Sequence, residues 1–273
     1  MTAEPVPAFG RYVALGDSMT EGLWDVPDPA EPERVRGWAD VLAQRLAERR
    51  AAGGAGPVEY ANLAVRGRLL AEIIRDQVPR AVAARPDLVS LVGGGNDLLR
   101  PGADPDALAG LLERAVVRLR AAGADVLLAT GMDTRSSPVL AAMRPKVAVY
   151  NAHIWSIARR HGARVLDVWG MRSLRDWRMW AEDRIHLSTA GHERVAQGAL
   201  VALGLGPDDP AWDDPLTPLP PVARARRLRQ DLTWARQYAY PWVGRRLRRR
   251  SSGDARVPKR PEPTVLRVHD GAR

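Results

Sequence analysis

The chain contains no cysteine. Disulfides, thiolate nucleophiles and cysteine-ligated zinc are therefore excluded. Phenylalanine occurs once, at Phe9, so nine tryptophans supply most of the aromatic volume. Lysine is nearly as scarce: Lys146 and Lys259 are the two lysines among 41 basic residues. Genome composition can produce such an arginine bias without selection for a polyanion partner. There is no run of about 18 apolar residues, so no membrane span is expected. The first residues, MTAEPVPAFG, have neither a basic start nor an apolar stretch. They do not read as a signal peptide, and a cytoplasmic location is expected.

What is present divides by charge. Residues 221–273 hold 15 Arg and Lys against 4 Asp and Glu. The first 220 residues hold 26 against 28, so the net charge of +9 resides in the C-terminal extension. Hydrophobic residues make up 45% of the chain, an ordinary globular share.

Apolar runs alternate with amphipathic stretches from residue 11 to about 204. Strands are expected at 12–15, 58–63, 87–94, 124–130 and 163–168. Helices are expected at 37–50, 68–78, 104–123, 138–161 and 188–204, with Asp104 and Ser188 or Thr189 as caps. Strands separated by helices imply βαβ units and a parallel sheet covered on both faces. The expectation is an α/β fold, a three-layer α/β/α sandwich with a five-stranded parallel sheet. Sites in such sheets form at the carboxyl ends of the strands. Residues 205–220, rich in Pro and Asp, read as a linker. Residues 221–273 read as a basic extension: one helix at 222–238 with an apolar stripe of Val222, Ala225, Leu228, Leu232, Ala235 and Ala239, then disorder from Pro241.

Chemistry-bearing residues gather at the strand ends. Ser18 follows the first strand in ALGDSMTEG. Alone it is weak evidence, since a serine there can equally cap the next element; position 20 is Thr, so this is no G-x-S-x-G elbow. Gly67 follows the second strand, Asn96 and Asp97 the third, and Asp183-Arg184-Ile185-His186 comes after the fifth. These are the parts acyl transfer needs. A serine hydroxyl requires a base, His supplies one near pH 7, a carboxylate orients the imidazole, and N–H donors meet the oxyanion.

Together the four blocks resemble the SGNH hydrolase, or GDSL-type esterase/lipase, family. GDSM stands where the family name suggests GDSL, with Met19 in the place of Leu. The likeness covers roughly residues 10–204 and marks 1–204 as the catalytic domain. It implies a flavodoxin-like strand order of 2-1-3-4-5. It implies Ser18 as nucleophile, His186 as general base and acid, Asp183 as its orienting carboxylate, and an oxyanion hole from Ser18, Gly67 and Asn96. It implies no metal or cofactor, and a small acyl ester as the partner molecule. An acyltransferase with the same site, or a catalytically silent binding module, are the alternatives.

Other residues carry plainer readings. Asp17 is an alternative partner for His186, although its position suits it to tie down its own turn. Asp97 is suited to pin the loop carrying Asn96. His192 lies in GHERVA, which is not H-E-x-x-H because position 196 is Ala. Trp24 either lines an acyl pocket or covers the core edge; Trp169, Trp177 and Trp180 read as packing. The basic extension reads first as a docked helix with a solvated end, then as a weak contact with an anionic membrane surface. Nucleic-acid binding comes last, since no recognition fold accompanies the charge.

Overall fold

A computed structural model describes residues 6–137, 140–220, 223–241 and 253–268. Six strands form one sheet: β1 (Arg11–Leu15), β2 (Glu59–Asn62), β3 (Leu88–Leu91), β4 (Asp125–Ala129), β5 (Arg164–Leu166) and β6 (Arg260–Val265). Their order is β5-β4-β3-β1-β2-β6. Read from β2, the first five strands run 2-1-3-4-5 as expected; the expected five-stranded, all-parallel sheet is corrected by a sixth strand beyond β2, which makes the whole order 6-2-1-3-4-5. β1 to β5 pair in parallel, and β6 adds antiparallel outside β2.

Strand periodicity assigns the two faces. Tyr12 and Ala14 point to one core with Tyr60, Leu88 and Leu127; helices α2 (Trp38–Ala52) and α8 (Thr189–Ala202) cover it. Val13 and Leu15 point to the other with Val89, Leu91, Val126 and Leu128. That face is covered by α3 (Leu70–Glu72) and α4 (Val78–Ala83), joined by the π-helical turn Ile73–Gln77, and by α6 (Pro105–Ala121) and α7 (Arg144–His161). Short helices α1 (Ser18–Glu21) and α5 (Gly95–Leu98) stand at the carboxyl edge. The expected caps hold at two starts: Asp104 accepts from Asp106 N–H and Ser188 from Gly191 N–H. The π turn swings Gln77 inward, where its amide both donates to and accepts from the Gly16 backbone. This fixes the turn that launches Ser18.

The linker packs on the domain, and the C-terminal extension differs in part from its reading. Residues 205–220 lie along the domain, with Leu205 buried and Asp208 holding Arg49. A helix is present, α9 (Arg224–Trp234), continued by a π turn through Ala239. The two leucines of its expected apolar stripe, Leu228 and Leu232, are 60% and 59% exposed, whereas Trp234 is buried; Val222 and the side chains of Ala225 and Ala239 lie outside the described residues. Residues 242–252 and 269–273, part of the expected disordered end, lie outside the described residues. Residues 253–268 are ordered by β6, which corrects the disorder expected beyond Pro241. An edge strand tolerates Pro261 and Pro263 because one row of its N–H groups has no ladder partner. Among the described residues, no helix is long and apolar enough to cross a membrane.

Candidate active site

The carboxyl ends of β1, β2 and β3 deliver Ser18, Gly67 and Asn96 to one rim, and the loop after β5 brings Asp183 and His186 to it. Ser18 begins α1, with Asp17 as its cap accepting from Met19 N–H. Ser18 Oγ lies 2.8 Å from His186 Nε2, and His186 Nδ1 lies 2.5 Å from Asp183 Oδ2. A carboxylate at Nδ1 fixes the proton there, so Nε2 is the acceptor and the serine hydroxyl donates. Asp183 Oδ1 accepts from the N–H groups of Ile185 and His186. Burial pushes the Asp183 carboxyl up, but its hydrogen bonds from His186 and these N–H groups outweigh burial and hold it below the usual range. It therefore stays ionised beside the imidazole.

Gly67 sits at φ 76°, a left-handed turn that a side chain would strain. Among the described residues, neither its N–H nor that of Ser18 donates to a protein acceptor. Asn96 Nδ2 donates to Asp17 Oδ2 at 3.1 Å and to Arg68 O at 3.2 Å. Asp97 accepts from Leu70 N–H, so it ties the Asn96 turn to the helix that follows Gly67. Asp17 does not partner the imidazole nitrogens; its oxygens take the Asn96 amide and Met19 N–H. Burial above all pushes its carboxyl up to about 6.

Several supporting residues carry no local sequence signal. Glu21 forms a bidentate buried ion pair with Arg66, Nη2 to Oε1 at 2.6 Å, and also accepts from Arg66 N–H at 2.7 Å. The turn at Gly67 is thus tied to the helix that begins with Ser18. Arg184, inside the Asp183–His186 loop, stands at φ 56°, costly for a residue with a Cβ. Its guanidinium pairs with Asp231 of α9 at 2.7 Å and lies over the rings of Trp177 and Trp234. Next to it, Glu182 accepts from Tyr238 Oη at 2.6 Å. Trp24, also at positive φ, meets the Tyr238 ring edge-on at 6.0 Å. The sequence offers Trp24 for an acyl pocket, whereas nothing local in it marks Arg184.

A cavity of about 1300 Å³ opens at these groups. Ser18, Gly67, Asn96 and His186 line it, as do Met132, Leu140 and Met143 from the β4–α7 connection and Val147 from α7. Trp24, Gln237, Tyr238 and Pro241 line it from the outer side, so Trp24 belongs to the cavity. Trp180 donates to Leu174 O and Trp169 lies under Arg144, which are packing roles. His192 is buried on α8 and takes Trp38 N–H on Nδ1; burial pushes it down to about 3, so it is a neutral structural group. Among the described residues, no group of three or more His, Asp and Glu side chains is placed to hold a metal ion.

Comparison with known proteins agrees with this geometry at the level of the fold. No curated protein sequence matches the chain significantly. Solved structures do. An α/β hydrolase enzyme, LAE5, from the metagenome of Lake Arreo, Spain, is 25% identical with a TM-score of 0.58, covering 71% of this chain and 95% of its own. TesA is 23% identical with a TM-score of 0.55, over 71% and 97% of the two chains. The acetylxylan esterase Axe2 of Geobacillus stearothermophilus is 20% identical with a TM-score of 0.58, over 71% and 94%. The profile of the GDSL-like Lipase/Acylhydrolase family matches residues 14–194, a span that contains Ser18, Gly67, Asn96, Asp183 and His186. The chain therefore belongs to the GDSL-like lipase/acylhydrolase family.

Proposed function

We propose that this esterase hydrolyses carboxylic or thio esters through an acyl-enzyme on Ser18. The observation that carries the reading is the continuous relay from Ser18 Oγ through His186 to Asp183, at 2.8 Å and 2.5 Å, opening into an apolar cavity. Ser18 Oγ attacks the carbonyl carbon while its proton passes to His186 Nε2. Asp183 remains a carboxylate and stabilises the imidazolium. The tetrahedral oxyanion is met by the N–H groups of Ser18 and Gly67. It also draws one Asn96 N–H from Arg68 O, because an anionic oxygen is a stronger acceptor than a backbone carbonyl. His186 then protonates the departing alcohol or thiol as its bond to carbon breaks. Water, deprotonated by His186, cleaves the acyl-enzyme, and the carboxylic acid leaves with Ser18 restored. Met132, Leu140, Met143 and Val147 give the acyl chain apolar surface.

Ser18→Ala tests this. Hydrolysis of p-nitrophenyl butyrate should fall by about 10³-fold or more, with the residual rate due to the remaining donors. The thermal midpoint should not move, since Ser18 has one hydroxyl bond to lose. Undiminished hydrolysis in that variant would overturn the nucleophile assignment.

A further inference from the structure

The helix α9 has two unlike sides. Asp231, Trp234 and Tyr238 face the domain, where they meet Arg184, Glu182 and Trp24. A helix places Leu228, Arg229, Leu232 and Arg236 on the opposite side. All four are exposed, the two leucines at 60% and 59%. Residues 223–241 contain five Arg and a single acidic residue, Asp231. That residue is turned inward onto Arg184, so no carboxylate of this segment is left to neutralise the outer face. Tyr240, 72% exposed, extends the apolar surface at the end of the helix. Leucines interleaved with arginines and cleared of acid suit one kind of surface: apolar beneath, anionic at its boundary. The arginine stems can lie along the acyl region while their guanidinium groups remain with phosphates. A second copy of the same face would bring arginine against arginine.

The location adds to this. Gln237, Tyr238 and Pro241, directly after α9, line the active-site cavity. A surface seated on the outer face of α9 would therefore lie next to the cavity that holds Ser18.

We propose that the outer face of α9 docks on an anionic lipid bilayer and thereby presents the active-site cavity to acyl esters resident in it. The delivery to Ser18 rests on the esterase reading; the docking does not. The experiment uses the full-length chain and co-sedimentation with vesicles of phosphatidylcholine alone or containing 30% phosphatidylglycerol. The protein should sediment with the anionic vesicles at least tenfold more than with the neutral ones, and 0.5 M NaCl should release it. The double substitution Leu228→Asp with Leu232→Asp should reduce that binding at least tenfold. It should leave hydrolysis of soluble p-nitrophenyl butyrate unchanged, which also reports an intact fold. Ser18→Ala should bind as the parent does, so a failure of catalysis and a failure of docking give different results. Absence of binding to anionic vesicles would overturn the proposal. Equal binding by the double variant would assign attraction to the remaining arginines and overturn it as well. So would a dimer in light scattering that the double substitution dissolves without any vesicle binding, or binding of a 30-nucleotide RNA that exceeds binding to anionic vesicles.

Discussion

Two loops complete the candidate active site from opposite sides, and they are held by opposite means. The proposed oxyanion wall, at Arg66 and Gly67, is fastened from within. Glu21 and Arg66 are buried, with side chains 8% and 10% exposed, and the pair is bidentate. The histidine wall, residues 182–186, is fastened from without. Arg184 and Asp231 are 25% and 45% exposed, and Tyr238 reaches Glu182 at the surface. The C-terminal extension touches both. Gly253 approaches Arg66 O so closely that a Cβ there would lie 1.9 Å from it. Lys259 holds the chain beside Glu21, and α9 holds Arg184. The difference follows the work proposed for each wall. Donors that must meet an oxyanion at a fixed distance need a support that cannot rearrange. A wall at the cavity mouth can be held by contacts that water and salt weaken.

The sharpest way to break this comparison is Glu21→Ala. It takes the bidentate Glu21 carboxylate away from the buried Arg66 guanidinium, and losses of this kind cost up to about 3–5 kcal/mol. Urea unfolding should show that loss. Hydrolysis should fall too, because Arg66 N–H also loses its acceptor one residue before Gly67. A stability change below about 1 kcal/mol would mean that the ion pair does not hold the oxyanion wall.

Two carboxylates, Asp17 beside the Asn96 amide and Asp183 in the histidine wall, should also answer pH in opposite senses. Asp17 is raised to about 6, mainly by burial. Its folded form holds a proton that the unfolded chain has lost between about pH 4 and 6. Stability from this group is present below that window and falls as pH rises through it, by about 3 kcal/mol at most. Asp183 is depressed. Its contribution is present above the ordinary carboxylate range and is lost as pH falls through its folded value. Urea midpoints from pH 3 to 7 check both. Asp17→Asn should remove the decline between pH 4 and 6, and Asp183→Asn should remove part of the acid loss below pH 4. A decline between pH 4 and 6 that survives Asp17→Asn would assign it to another group.

What the sequence made legible was local. Ser18, Gly67, Asn96, Asp183 and His186 each stand in a short block after a strand, and the parallel sheet brings such ends together. The supports of these residues were not legible, because they join distant positions. Glu21 and Arg66 are 45 residues apart, and ion pairs leave no periodicity to read. The sixth strand, RPEPTV, has two prolines and no alternation. It is a strand because β2 offers it a free edge, with Tyr60 opposite Thr264 and Arg260 over the Tyr60 ring. Pattern reading also misassigned α9, where the leucine stripe suggested the packed side and the buried contacts are made by Asp231, Trp234 and Tyr238 instead.

A smaller effect tests whether the extension reaches the oxyanion wall at all. Lys259 Nζ donates to Glu21 O, Val35 O and the Asp40 carboxylate. Lys259→Met keeps the stem and removes all three bonds. It should cost about 2 kcal/mol, the range for hydrogen bonds to a charged group, less what solvent recovers at a partly exposed site. Chemical denaturation of the full chain reads this. If stability does not change, the extension lies on the oxyanion wall without supporting it.

The smallest change in stability belongs to the histidine wall, and it is the most informative about what α9 does there. Arg184→Gly removes an ion pair that is partly exposed and two ring contacts. It also relieves the positive φ, which glycine adopts without a Cβ penalty. The two effects oppose each other, so global stability should shift by less than about 1 kcal/mol. The helix should nonetheless come loose. Trypsin should cut within residues 224–236 several-fold faster in the variant, and 0.5 M NaCl should produce part of the same increase in the parent by screening the Arg184–Asp231 pair. Arg184→Lys keeps the charge but not the planar group that lies over Trp177 and Trp234, and should fall between. With α9 loosened, KM for long-chain esters should rise while kcat for p-nitrophenyl butyrate is kept, because Ser18, Asp183 and His186 are undisturbed. If kcat fell instead, Arg184 would be holding the imidazole itself, and the histidine wall would be as rigidly built as the oxyanion wall.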